Sequence, residues 1–133
     1  MSAYQPIASP RTLHDVAAAR TLFAPLARER CEVAGIAYLD GERRLLALRY
    51  VRSPSDGALI FPLRDMLADA LGFGAAALVL VHNHPSGIAR PSTADRDATQ
   101  QIARALKLID VRLIDHLIVA GDAWASFRAL GLL

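Results

Sequence analysis

The sequence predicts an α/β fold: a single domain of three layers, α/β/α, in which a mixed sheet carries helices on both faces. Three observations predict it. Residues 75–81 are an apolar run of the kind found in strands covered on both sides, and 111–119 reads as another buried strand. A segment of helical period, 93–108, lies between them, the arrangement of a strand–helix–strand unit. Upstream, two further apolar stretches meet at Asp40-Gly41, a hairpin signal.

The elements follow in order. Residues 1–9 carry no periodic pattern and are expected to be disordered. Residues 11–30 read as a helix, with Leu13, Val16, Phe23 and Leu26 at helical spacing and a kink at Pro25. Residues 32–39 form a strand, and Asp40-Gly41 turns the chain into a second strand over 43–51. A polar loop covers 52–58. Pro62 suits the first turn of a helix that runs to about Phe73 and closes at Gly72 and Gly74. The 75–81 strand, the 93–108 helix and the 111–119 strand come next. Gly121-Asp122 is a turn before a short strand at 124–127. Residues 1–30 are thus a tail and helix, and 31–133 the domain proper.

Composition narrows the class. A chain of 133 residues buries a core without cross-links, and a single cysteine, Cys31, argues against an oxidised, secreted scaffold. Apolar residues make up 53%, yet no run approaches a membrane span, and the start Met1-Ser2-Ala3-Tyr4-Gln5-Pro6 lacks signal-peptide character. A cytoplasmic enzyme that needs no membrane is expected. A formal charge of +2 is too small to imply nucleic acid.

The chemistry concentrates in residues 82–95, His-Asn-His-Pro-Ser-Gly-Ile-Ala-Arg-Pro-Ser-Thr-Ala-Asp. His82 and His84 stand at the C-terminal end of the 75–81 strand, where alternation points both to one face and Asn83 to the other. Pro85 and Gly87 end the strand. Ser92 is a good N-cap, and Asp95 then lies in the first turn of the next helix, where the dipole favours a carboxylate. Asp97 competes as an acidic partner but lies about 200° further around the helix. His82, His84 and Asp95 make a three-ligand zinc site, which leaves a coordination position open for water; structural zinc sites are closed by four ligands and favour cysteine. A hydrolase follows. Glu32, at the head of the first strand, is a candidate general base, although by spacing alone Glu29, Glu42 and Asp65 are equally available. Asp115 and His116 fall mid-strand with side chains on opposite faces; one of them is a candidate support behind the metal, or the two form a hydrogen-bonded core pair. Gly35 either lets a substrate backbone approach or eases the sheet twist. His14 reads as surface, Trp124 and Phe127 as core.

His82-x-His84, seven residues, then Ser92-x-x-Asp95, with Glu32-x-x-Gly35 upstream, resembles the motif of the JAB1/MPN/Mov34 (JAMM) metalloproteases. The fuller string His-Asn-His-Pro-Ser-Gly, with Pro91-Ser92, Asp115-His116 and Ser126-Phe127, is similar to their bacterial RadC branch, from Glu32 to the C-terminus. The resemblance implies a JAB/MPN fold, related to the cytidine deaminases. It also implies zinc on His82, His84 and Asp95, Glu32 as general base and Ser92 assisting the oxyanion. Two stretches depart from the RadC pattern: Arg52-Ser53-Pro54-Ser55-Asp56 stands where relatives carry Gly-Thr, and Leu63-Arg64-Asp65 where they carry Pro-Arg-Glu. Longer relatives also carry a helix-hairpin-helix domain, for which the residues before Glu32 offer no counterpart.

The expected activity is hydrolysis of a peptide or isopeptide amide in a protein or peptide substrate. Water activated by zinc attacks the carbonyl while Glu32 shuttles the proton and Ser92 donates a hydrogen bond. Two alternatives belong to other classes. A nucleic-acid-associated role follows from the RadC link to DNA repair and from Arg43, Arg44, Arg49 and Arg52, though no aromatic residues interleave them. A non-catalytic scaffold would keep the metal for stability. A nucleobase deaminase would need a Cys-x-x-Cys that is missing.

Overall fold

The computed structural model describes residues 2–5, 12–53 and 60–133. Six strands form one mixed sheet: β1 (Ser2–Gln5), β2 (Val33–Leu39), β3 (Leu45–Arg52), β4 (Ala77–Asn83), β5 (Arg112–Ala120) and β6 (Ala123–Ser126), in spatial order β1-β3-β2-β4-β5-β6. Only β4 and β5 pair in parallel, joined by helix α3 (Thr93–Leu108). Helix α1 (Val16–Phe23) covers one face; α2 (Leu63–Phe73) and α3 cover the other.

Alternation along the strands sorts the core into two layers. Val33, Ala37, Leu39, Val79, Val81, Leu117 and Val119 pack with Phe23 and Leu26 on the α1 side. Ala34, Ile36, Tyr38, Leu78, Leu80 and Leu113 pack with Met66, Ala70, Ile102 and Leu106 on the other. All seven residues of β2 and of β4 are buried, as strands covered on both faces must be.

The N-terminal region differs from expectation. Ser2–Gln5 is a strand paired with β3, because an edge of paired backbone can recruit a segment that has no apolar signature of its own; residues 6–9 lie outside the described set. The expected 11–30 helix starts at Val16, capped by the Asp15 carboxylate, which accepts from the Ala18 N–H at 2.8 Å. Thr12 is drawn away from it by a bridge to Arg44. Around Pro25 the chain passes from α1 into a 3-10 helix, Ala24–Arg28, with the proline in its first turn, where its missing N–H costs nothing.

The hairpin after β2 holds its positive φ at Arg43 (61°) rather than at Gly41, the signature of a type I turn followed by a left-handed residue. Asp40 stabilises it by accepting from the Glu42 and Arg44 N–H groups, each at 2.8 Å. Gly74, at φ 67°, ends α2 in the left-handed cap that glycine favours. The polar loop expected over 52–58 lies outside the described residues from 54 onward. Gly35 has a role neither expectation covered: a Cβ there would stand 2.4 Å from Cε1 of Phe23, so the glycine makes room for that ring.

A bulge lies where β4 meets β5, with Leu78 facing Leu113 but Val79 facing Asp115. Strict alternation from Leu113 would turn Asp115 toward the α2/α3 side. The extra residue reverses the phase, sends Asp115 to the α1 side and turns His116 toward α3.

Candidate metal centre

The site forms where β4 ends, α3 begins and β2 starts. His82 is the penultimate residue of β4 and is buried; His84 lies just past the strand, partly exposed. Ser92 caps α3: its Oγ accepts from the Asp95 N–H at 3.0 Å, and the Asp95 carboxylate returns the bond from the Ser92 N–H at 2.9 Å. The cap therefore aims the Asp95 carboxylate back at the strand end. His82 Nε2 and His84 Nε2 are 3.0 Å apart, and the Asp95 oxygens stand 3.4 Å from the first and 3.1 Å from the second. Asp97, exposed and two residues on, takes no part.

Donor counting makes this cluster electron-rich. His84 Nδ1 lies 2.8 Å from the Ile88 carbonyl, which only accepts, so Nδ1 carries a proton and in the neutral ring Nε2 presents a lone pair. Burial works to raise the Asp95 carboxyl, but the adjoining His82 and His84 rings and the Ser92 backbone N–H outweigh it and hold it far below the usual carboxylate range. The same carboxylate raises His84, against burial. These three residues are the group able to hold a metal ion among the described residues. Nitrogens about 2.0–2.1 Å from a tetrahedral ion stand about 3.3 Å apart, close to the separations found here, and two imidazoles with one carboxylate suit zinc.

Glu32 is carried to the same place by strand register. Ala34 pairs with His82 across β2 and β4, so two residues back along β2 and two forward along β4 bring Glu32 and His84 to the same face. Glu32, His84, Ser92 and Asp95 line one open cleft, walled by Phe61 and the exposed Ile88. Of the other acids available by spacing, Glu29 is held by Arg52 through two contacts of 2.9 Å and Glu42 pairs with Arg44 in the hairpin; neither lines the cleft, nor does Asp65.

Asn83, between the histidines, points to the opposite face, as alternation predicts. Its Oδ1 accepts from the Val33 N–H at 2.6 Å, and its Nδ2 donates to the carbonyls of Glu29 and Cys31 at 3.2 and 3.0 Å. It thus grips the backbone on either side of Glu32. The side chain is buried. Its role was not foreseen from sequence, although an Asn inside an apolar strand must find partners, and that is signal enough to look for a clamp.

His116 and Asp115 part company. His116 is buried behind the site, its Nε2 2.6 Å from His82 Nδ1 and its Nδ1 2.7 Å from Thr99 Oγ1, stacked on Phe127 at 4.6 Å. Burial, more than its charged neighbours, holds His116 well below the ordinary histidine range. Asp115, on the α1 side, accepts from the His116 and Arg128 N–H groups and from Ser126 Oγ. One residue of the pair therefore backs the cluster, and the other ties β5 to β6 and the turn after it. Thr99 is the second residue missed: it lies four after Asp95, hence on the same side of α3.

The remaining expectations resolve simply. His14 is exposed, Phe127 is buried, and Trp124 packs partly against the core beneath Arg20 at 5.6 Å. The hairpin arginines are engaged within the chain: Arg43 on the His14 carbonyl, Arg44 on Asp40, Arg49 on Asp69 and Arg52 on Glu29. No described helix is long and apolar enough to cross a membrane.

Comparison with known proteins agrees with this geometry. A family model described as "RadC-like JAB domain" matches residues 9–132. The chain is 45% identical over 115 residues to a UPF0758 protein of Bordetella petrii, covering 86% of this chain and 49% of that one. It is 44% identical over 115 residues to a UPF0758 protein of Nitrosococcus oceani (86% and 51%), and 45% identical over 126 residues to one of Azotobacter vinelandii (94% and 54%). The chain thus spans about half the length of these curated relatives.

Proposed function

The chain belongs to the family of RadC-like JAB domains, and from that premise we propose that it is a zinc-dependent amide hydrolase acting on a peptide or isopeptide bond. One observation carries the reading. The His82 and His84 Nε2 atoms and the Asp95 carboxylate converge within hydrogen-bonding distance at the edge of an open cleft, with Glu32 lining the same cleft.

A zinc ion on those three residues supplies Lewis acidity and a water-derived nucleophile competent near neutral pH. The chain's own groups do the rest. Glu32 accepts the proton of the attacking water and returns it to the leaving amine. Ser92 serves the helix through its oxygen, which accepts in the cap, and so keeps its O–H to donate to the scissile carbonyl oxygen as charge gathers there. Phe61 and Ile88 wall the cleft with apolar surface, and the opening leaves room for an extended substrate.

The test separates metal from chemistry. Elemental analysis should find about one zinc per chain, lost in His84→Ala and in Asp95→Ala. With a library of peptides and isopeptides, Glu32→Gln should keep its zinc and lose about 10² to 10⁴ in rate. A wild-type chain that takes up no transition metal refutes the reading. If Glu32→Gln turns over at the wild-type rate with zinc bound, Glu32 is not the base and Glu29 or Asp65 takes its place as candidate; a zinc-loaded wild-type chain that cleaves nothing in the library makes a scaffold that keeps its metal for stability the better account.

A further inference from the structure

We propose that Thr99 and His116 form a directed hydrogen-bond chain that fixes His82 in the one neutral tautomer able to offer Nε2 to a metal. The proposal rests on the metal reading above and adds two positioning residues to it.

The direction follows from counting protons. Thr99 Oγ1 lies 2.7 Å from the Asp95 carbonyl oxygen, to which it donates, and 2.7 Å from His116 Nδ1. A hydroxyl has one proton, and a carbonyl can only accept. With that proton on the Asp95 carbonyl, Thr99 Oγ1 is the acceptor toward His116, so His116 Nδ1 bears its proton. A neutral imidazole has one N–H, so His116 Nε2 is bare. His116 Nε2 is 2.6 Å from His82 Nδ1, which must then donate. His82 Nδ1 carries the proton, and His82 Nε2 points its lone pair into the cluster, 3.0 Å from His84 Nε2.

The chain begins and ends at the same site. It runs from the backbone of one proposed ligand, Asp95, through Thr99 and His116 to the ring of another, His82, across the α3–β5–β4 layers. Ligating histidines commonly rest their second nitrogen on a carboxylate or a carbonyl. Here that place is taken by a second imidazole, clamped against rotation by Phe127 stacked at 4.6 Å and Phe61 edge-on at 5.4 Å. The bulge in β5 is what turns His116 rather than Asp115 to this position.

Two measurements test it. Imidazole nitrogen shifts from NMR of the zinc-loaded wild-type chain should show His116 protonated at Nδ1 and bare at Nε2. His116 protonated at Nε2 instead overturns the proposal, and this arm needs no variant to fold. Zinc affinity, measured by competition with a chelator, should fall about 10- to 100-fold in His116→Met, which fills the space without an acceptor. His116→Gln, of the same length but able to accept from His82 and donate to Thr99, should recover most of that loss, and Thr99→Val should weaken zinc in the same direction as Met. Equal losses in Met and Gln reduce His116 to packing and overturn the chain while leaving the metal site standing. A wild-type chain that binds no zinc overturns the metal reading, and this inference with it.

Discussion

Replacing Asn83 with leucine should unfold the protein more readily without touching the proposed metal ligands. The substitution keeps the approximate volume and removes an acceptor and two donors. Val33 N–H is buried and loses its 2.6 Å partner, a loss that costs about 2–3 kcal/mol because water cannot replace it. The Glu29 and Cys31 carbonyls lie in partly buried surroundings and can rehydrate, so each adds about 0.5–1 kcal/mol. The sum, about 3–5 kcal/mol, is a large fraction of a domain's usual 5–15 kcal/mol. Urea denaturation followed by far-UV circular dichroism should show the midpoint falling in proportion, with the slope unchanged. Because Asn83 faces away from the cluster, zinc stoichiometry in the folded variant should stay at the wild-type value. Turnover should nonetheless drop, since the backbone around Glu32 is no longer held. A destabilisation below about 1 kcal/mol with unchanged turnover would refute the clamp.

Other expectations are independent of any substrate. Gly35→Ala forces a Cβ to 2.4 Å from Phe23 and should cost about 1–3 kcal/mol in denaturant titrations, while Gly41→Ala, with nothing within 4 Å, should cost far less. Asp110→Gly relieves a left-handed residue at φ 57° and should raise stability by about 0.5–1 kcal/mol, read as a higher denaturation midpoint. Burial, reinforced by its 3.0 Å bond to Asp69, holds the Tyr38 phenol above the ordinary tyrosine range. The folded state therefore binds that proton more tightly than the unfolded chain, and this contribution to stability is complete below the unfolded pKa of about 10 and erodes as pH rises beyond it. Tyrosinate absorbance should show one of the three tyrosines failing to ionise until the fold is lost.

Much of this molecule is legible in its residues because local and global signals agree there. The α3 helix occupies 93–108 as its period and its Ser92 cap predict, and β4 and β5 lie within two residues of the strands expected over 75–81 and 111–119. The convergence of His82, His84 and Asp95 is legible for the same reason: a strand end and a capped helix start each fix a direction. What escapes is what pairing and packing decide. Ser2–Gln5 becomes a strand because β3 offers an edge, the first helix starts late because Thr12 is held by Arg44, and Gly35 answers to a ring twelve residues earlier in the chain. The choice between Asp115 and His116 turns on one extra residue in a ladder, which no alternation rule reveals.

Three consecutive residues at the end of β4 and just past it divide their work between the two sides of the sheet, His82 and His84 toward the cleft and Asn83 toward the Glu32 backbone. Sliding that strand by one position would exchange the sides, bury both imidazoles under α1 and turn the amide into the cleft. Such a misthreaded chain would lose the proposed metal ligands and the anchoring of the Glu32 backbone in one stroke, so the spacing of three letters serves as a proofreading device for the fold.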